Sequence, residues 1–186
     1  VETVYFGGGT PSLIGGARLN TLLQTVRTCF HVIAGTEITV ECNPDSMDRE
    51  LLEALQNAGV NRLSVGVQSA HDDELRMLGR RHTFALAERA ILRGKQMGFD
   101  NISLDLMYGL PEQTKERFLQ SVHALLKLEP AHLSCYSLKL EPGTPMAEQN
   151  PVLPDGDAQA ELYLKLCNAL EKAGYQHYEI SNWAKP

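Results

Sequence analysis

Val4-Tyr5-Phe6-Gly7-Gly8-Gly9-Thr10-Pro11-Ser12 is the stretch on which the reading of the chain turns. A β-branched and aromatic run over 1–6 stops at three glycines, a Thr-Pro pair follows, and then the spacing becomes helical. Glycines remove every Cβ from a loop, so a ligand can lie directly on backbone N–H and C=O groups. A strand feeding such a loop, with a helix after it, places those groups at the carboxyl edge of a sheet, where α/β proteins bind ligands. The competing reading is a tight strand-to-helix turn with no ligand. The rest of the chain has to decide between them.

Outward from this loop the pattern alternates. Strand-like runs cover 1–6, 37–42, 61–67, 101–107, 131–138 and 175–180. Helical spacing of 3 and 4 between apolar residues covers about 18–30, 48–58, 72–78, 83–97, 114–128 and 157–173. Gly59, Gly98 and Gly174 follow three of these helices as stops, and Thr114 and Asp155 are candidate N-caps. Strand–helix–strand repetition predicts βαβ units and a parallel sheet, either open and doubly wound or part of a (β/α) barrel. The turn-rich stretch 141–156 is expected to close the repeating part, which divides the chain into a core over 1–140 and a connection, helix and strand over 141–186.

The bulk properties narrow the function. A chain of 186 residues that is 43% hydrophobic and 22% charged suits one globular domain or a large piece of one. A net charge of −6 argues against a nucleic-acid footprint. No apolar stretch approaches the roughly 20 residues of a membrane span, and no signal peptide is evident, so the cytoplasm is the expected location. Cys29, Cys42, Cys135 and Cys167 are widely separated, without zinc or iron–sulfur spacing, and read as small buried residues.

Chemistry-bearing residues fall at the strand ends: Gly8, Gly9 and Thr10, then Glu41, then Gln68 and Ser69, then Asp105, then Tyr136, Ser137 and Lys139. Each has a plain structural alternative. Asn43-Pro44-Asp45 is also a turn signal, Ser69 a helix cap, and Asp105 a buried partner of Arg80 or Arg81. A carboxylate between Leu104 and Leu106 is costly to bury unless paired or ligand-bound. Backbone groups with Thr10 suit an amino-acid-like fragment, Glu41 and Asp105 suit hydroxyl or ammonium groups, and Arg80 suits a carboxylate. Neither G-x-G-x-x-G nor a Walker motif occurs, and no nucleophilic triad or metal-spaced histidine pair is present.

Read in order, FGGGTPS (6–12), ECNPDS (41–46), RLSVGVQS (62–69), LGRRHT (78–83), DLMYGLPEQT (105–114), YSLKLEPGTP (136–145) and EISNWAKP (179–186) resemble the radical S-adenosylmethionine (SAM) proteins. Within them the set is most similar to the oxygen-independent coproporphyrinogen III oxidase and HemW heme chaperone group. The resemblance implies an α/β fold, a partial (β/α)6 TIM-like barrel incomplete at its N-terminus, holding SAM and a 4Fe-4S cluster. Carried over position by position, it implies SAM contacts from Gly8, Gly9, Thr10, Glu41, Gln68, Arg80 and Asp105. The family's C-x-x-x-C-x-x-C cluster motif has no counterpart here, so the chain is expected to be a piece of a longer protein and not itself to hold the cluster.

Three functions follow as expectations. The first is a HemW-like protein in heme trafficking, favoured because ISNWAKP looks like the lead into that group's heme motif. The second is a coproporphyrinogen III oxidase, which decarboxylates propionates through a radical derived from SAM. The third is a non-catalytic barrel fragment with residual SAM affinity. The implied partners are SAM, heme or a porphyrinogen, and an electron donor such as a flavodoxin or ferredoxin.

Overall fold

A computed structural model describes all residues, Val1–Pro186. Seven strands and seven helices alternate along most of the chain. Two compact units result, one of residues 1–67 and 85–103, the other of residues 68–84 and 104–186.

The first unit is built on β1 (Thr3–Phe6), β2 (Glu37–Cys42) and all but the last residue of β3 (Arg62–Gln68), which run parallel. Val4 pairs with Ile38, and Val40 with Leu63, so the ladder carries a continuous apolar face. Helices α1 (Gly16–Cys29), α2 (Arg49–Ala58) and α4 (Phe84–Gln96) cover it. Each helix is amphipathic by its spacing: α1 buries Leu19 and Leu23, and α2 buries Leu51, Leu52, Leu55 and Ala58. Asp48 caps α2 by accepting the Leu51 N–H at 2.8 Å, and Gly59 ends it at φ 89. A cap of this type contributes about 1 kcal/mol. Gly16 and Gly94 serve contact: a Cβ on Gly16 would overlap the Ala54 methyl, and one on Gly94 would sit 3.5 Å from Ile102.

The second unit contains α3 (Asp72–Met77), most of β4 (Asn101–Tyr108), α5 (Lys115–Leu126), β5 (His132–Ser137) and α7 (Gly156–Lys172). Phe118, Val122 and Leu125 of α5 and Leu162, Leu166 and Leu170 of α7 are buried with Leu106, Leu133 and Trp183. Thr114 caps α5 through the Arg117 N–H, and Asp155 caps α7 through the Ala158 N–H, as their positions predict. The glycines after α2, α4 and α7 all have left-handed φ, between 84 and 92.

Three features depart from the sequence expectation. The C-terminal strands β6 (Gln176–Glu179) and β7 (Asn182–Ala184) form a hairpin, and β7 pairs antiparallel with β5. The single expected strand over 175–180 is therefore half of a hairpin, and the parallel repeat ends at β5. The connection at 141–156 contains a short helix, α6 (Pro145–Glu148), capped by Thr144. Of the cysteines, Cys42 and Cys135 are buried as expected, whereas Cys29 is exposed at the end of α1 and Cys167 is half-buried.

Candidate functional site

The glycine loop is tied to the end of β2 by side chains. The Glu41 carboxylate accepts the Tyr5 hydroxyl at 2.7 Å through Oε1 and the Gly8 N–H at 3.0 Å through Oε2. Two residues on, Asn43 donates its Nδ2 to Thr10 Oγ1 at 3.0 Å, and its backbone N–H donates to Ser12 Oγ at 3.3 Å. Ser12 and Ser46 meet through their hydroxyls at 2.6 Å, and Ser46 donates to the Asn43 carbonyl at 2.8 Å. The loop is thus fixed at both ends by the same strand terminus. Gly8 and Gly9 have φ 84 and 43, where an L side chain is strained by about 1 kcal/mol. Beyond the Cβ position of each there is open space to 4 Å. These two residues therefore need to be glycine for their backbone conformation, not for lack of room.

Gly8, Gly9, Thr10 and Glu41 are brought together here, as four of the seven predicted residues. Asn43, read as a turn residue, and Tyr5, read as a plain strand residue, join them. Asn43 could have been found from its place two residues after Glu41, since i and i+2 share a strand face. Tyr5 carried no signal beyond β propensity.

The other three predicted residues lie in the second unit. Gln68, at the end of β3, is buried and has φ 72, a left-handed setting uncommon for a residue with a side chain. The Tyr136 hydroxyl of β5 donates to its Oε1 at 2.9 Å, which leaves the Gln68 amide nitrogen as a donor. Burial pushes the Tyr136 phenol pKa up; Asp105 pushes it further up, and Arg80 pulls it back. Gln68, Arg80, Asp105 and Tyr136 therefore form one electrostatic neighbourhood of mixed sign. Asp105 is half-buried, not sealed between its leucine neighbours as expected, because the alternation of β4 turns it to the opposite face from Leu104 and Leu106.

Behind Gln68 stands a network that the sequence reading missed. Glu74 of α3 is only 4% exposed and accepts from Ser69 Oγ, Gln113 Nε2 and Arg117 Nε. Arg117 also forks onto Asp73, at 2.6 and 2.7 Å. Three acids open α3, and nothing in their spacing marks Glu74 as the buried one, since first-turn acids are ordinarily solvated.

An iron–sulfur centre does not fit these residues. No three His, Cys, Asp or Glu side chains converge as a metal-binding group, and the four thiols stand on α1, β2, β5 and α7.

Parallel strands alternating with helices define an α/β protein, a class in which ligands bind at the carboxyl edge of the sheet. Residues 1–125 match the family model of the radical SAM superfamily, and the chain belongs to that superfamily. The chain is 43% identical over 186 residues to the heme chaperone HemW of Escherichia coli, covering all of this chain and 49% of that protein. It is 41% identical over 189 residues to the mouse mitochondrial radical S-adenosyl methionine domain-containing protein 1, covering 43% of it. Coproporphyrinogen III oxidase (HemN) from Escherichia coli, described as a radical SAM enzyme, superposes over the whole chain with TM-score 0.90 at 28% identity, using 44% of that structure. The fold is accordingly the partial radical SAM barrel that the ordered motifs imply. The chain spans about half the length of the curated relatives it matches.

Proposed function

We propose that this chain is the SAM-binding part of a HemW-like protein that handles heme. In this reading Gly8, Gly9, Thr10 and Glu41 receive the methionine end of SAM on backbone groups. Gln68, Arg80 and Asp105 contact the rest of it. The observation that carries the reading is the glycine loop: two left-handed glycines, open space over both, and a carboxylate that accepts a loop N–H. A 4Fe-4S cluster, held by residues other than these, would supply the electron for SAM cleavage. The heme assignment is supported by 43% identity across the whole chain to a protein named as a heme chaperone.

A second reading, coproporphyrinogen III oxidase, is favoured by the TM-score of 0.90 to HemN. The identity of 28% there against 43% for the chaperone puts it second. The full-length protein carrying this segment, purified without oxygen, separates the readings. Equilibrium dialysis with labelled SAM should show saturable binding that falls on substitution of Glu41 or Asp105 by alanine. Incubation with heme should load the protein, and incubation with coproporphyrinogen III, SAM and a reductant should release no carbon dioxide. Carbon dioxide release would favour the oxidase, and undiminished SAM binding in both variants would remove the site assignment.

A further inference from the structure

Gln68 holds a left-handed backbone setting that only over-determined surroundings maintain in a residue with a side chain. The next three residues show what maintains it. Ser69 donates its hydroxyl to Glu74 Oε2 and accepts the His71 N–H at 3.0 Å. The Ala70 N–H donates to Ser121 Oγ of α5 at 3.1 Å. Glu74 in turn is held by Gln113 at 3.3 Å and Arg117 at 3.2 Å, so its carboxylate is fixed by α5 and the turn before it. A buried carboxylate needs such partners, and here every one of them comes from an element other than its own.

We propose that Glu74 is a positioning residue for the ligand site: through Ser69 it holds the end of β3 so that the Gln68 amide is delivered at a fixed place and angle. The proposal rests on the reading of Gln68 as a SAM contact. Gln68 is clamped from two sides, by Tyr136 on its side chain and by the Ser69–Glu74 bond on its backbone. With Glu74 gone, the turn at 69–71 keeps the Ala70–Ser121 bond but loses the anchor next to Gln68, and the amide its orientation, although no atom touching the ligand has been altered.

The test uses the full-length protein with its cluster intact, SAM as the probe, and both affinity and melting temperature as readouts. Glu74→Ala should weaken SAM binding about tenfold, a loss on the scale of one well-placed hydrogen bond to a charged or oriented group. Ser69→Ala removes the same link without disturbing Arg117 and should lose a similar factor; it keeps the test valid if Glu74→Ala folds poorly. Glu74→Gln can still accept from Ser69 but faces Arg117 with a donor. It should lower the melting temperature while keeping SAM affinity close to that of the parent protein. Affinity that follows melting temperature across all three variants would overturn the positioning role. So would unchanged affinity in Ser69→Ala alongside a clear loss in Gln68→Ala, a result that would leave the site reading standing. Unchanged affinity in Gln68→Ala would remove the site reading at this residue and the positioning role with it.

Discussion

The Glu41 carboxylate accepts the Gly8 N–H at 3.0 Å, which couples the last turn-facing residue of one strand to the middle of the loop after its neighbour. Neither residue is buried, so the bond survives only because β1 and β2 hold their backbones in register, Phe6 opposite Val40. Glu41 is therefore placed to shape the loop as well as to meet a ligand. Glu41→Gln keeps an acceptor for Gly8 or for Tyr5, not the charge for both. In the proposed reading, SAM affinity should fall severalfold in Glu41→Gln and more in Glu41→Ala, with little change in melting temperature, since an exposed hydrogen bond contributes about 1 kcal/mol. Isothermal titration of both variants checks the order. Equal losses would mean that the charge alone matters and the loop geometry does not.

Gly7 tests the same arrangement from the other side. A Cβ there would lie 2.6 Å from Tyr5 Cε1 and 3.1 Å from Glu41 Oε1. The Tyr5 ring is exposed and can swing away, so Gly7→Ala should fold, at the expense of the 2.7 Å Tyr5–Glu41 hydrogen bond. Gly7→Ala and Tyr5→Phe should then weaken SAM binding by a similar factor. The double variant should be little worse than either, since both remove one interaction. Additive losses would show that Gly7 acts through something other than Tyr5.

How much of this was legible in the chain follows from what each element depends on. The strands from β1 to β5 and the long helices were readable because apolar spacing, caps and stop glycines all agreed, as at Asp155 before α7 and Gly174 after it. The β6–β7 hairpin was not, because β7 is three residues long and pairs by backbone position, with only Trp183 buried. Glu41 and Gln68 were legible as polar residues at strand ends. Their partners were not: Tyr5 to Glu41 spans 36 residues, and Tyr136 to Gln68 spans 68. Such contacts depend on tertiary register, which periodicity does not encode. Glu74 was hidden for a related reason, since an acid in a helix first turn is ordinarily a solvated residue favoured by the helix dipole.

The thiols should separate sharply in reactivity. Burial pushes the Cys42 thiol up to about 12, with the neighbouring Glu41 charge adding to it, and burial pushes Cys135 up as well, with Asp105 adding. The thiolate is the nucleophile, so both should resist alkylation in the native protein, whereas Cys29 is exposed at the end of α1. Native labelling with iodoacetamide, followed by peptide mass spectrometry, should modify Cys29 at least about tenfold faster than Cys42 or Cys135. Raising the pH by about one unit should not close that gap, because the Cys42 value still lies far above. Labelling of Cys42 at the rate of Cys29 would mean that the end of β2 opens readily, which would contradict the anchored loop.

Acid sensitivity should trace to the Arg117 fork. Its hydrogen bonds hold the Asp73 carboxyl below its ordinary value of 3.8. A carboxylate whose pKa is depressed in the folded state contributes stability above its unfolded pKa and loses it as pH falls through the lower folded value. The pair is exposed on the Asp73 side, so its share is modest and screened by salt. The same guanidinium also holds Glu74, however, so protonation of Asp73 loosens one of the groups that fix the buried carboxylate. Urea midpoints measured as pH falls from about 6 into the acid range below the unfolded Asp value should fall more steeply for the parent than for Asp73→Asn, and the two curves should approach each other toward the acid end. The difference between them should shrink at about 1 M sodium chloride, where the screening length is about 3 Å. Parallel curves at both salt concentrations would show that Arg117 owes its place to Glu74 alone.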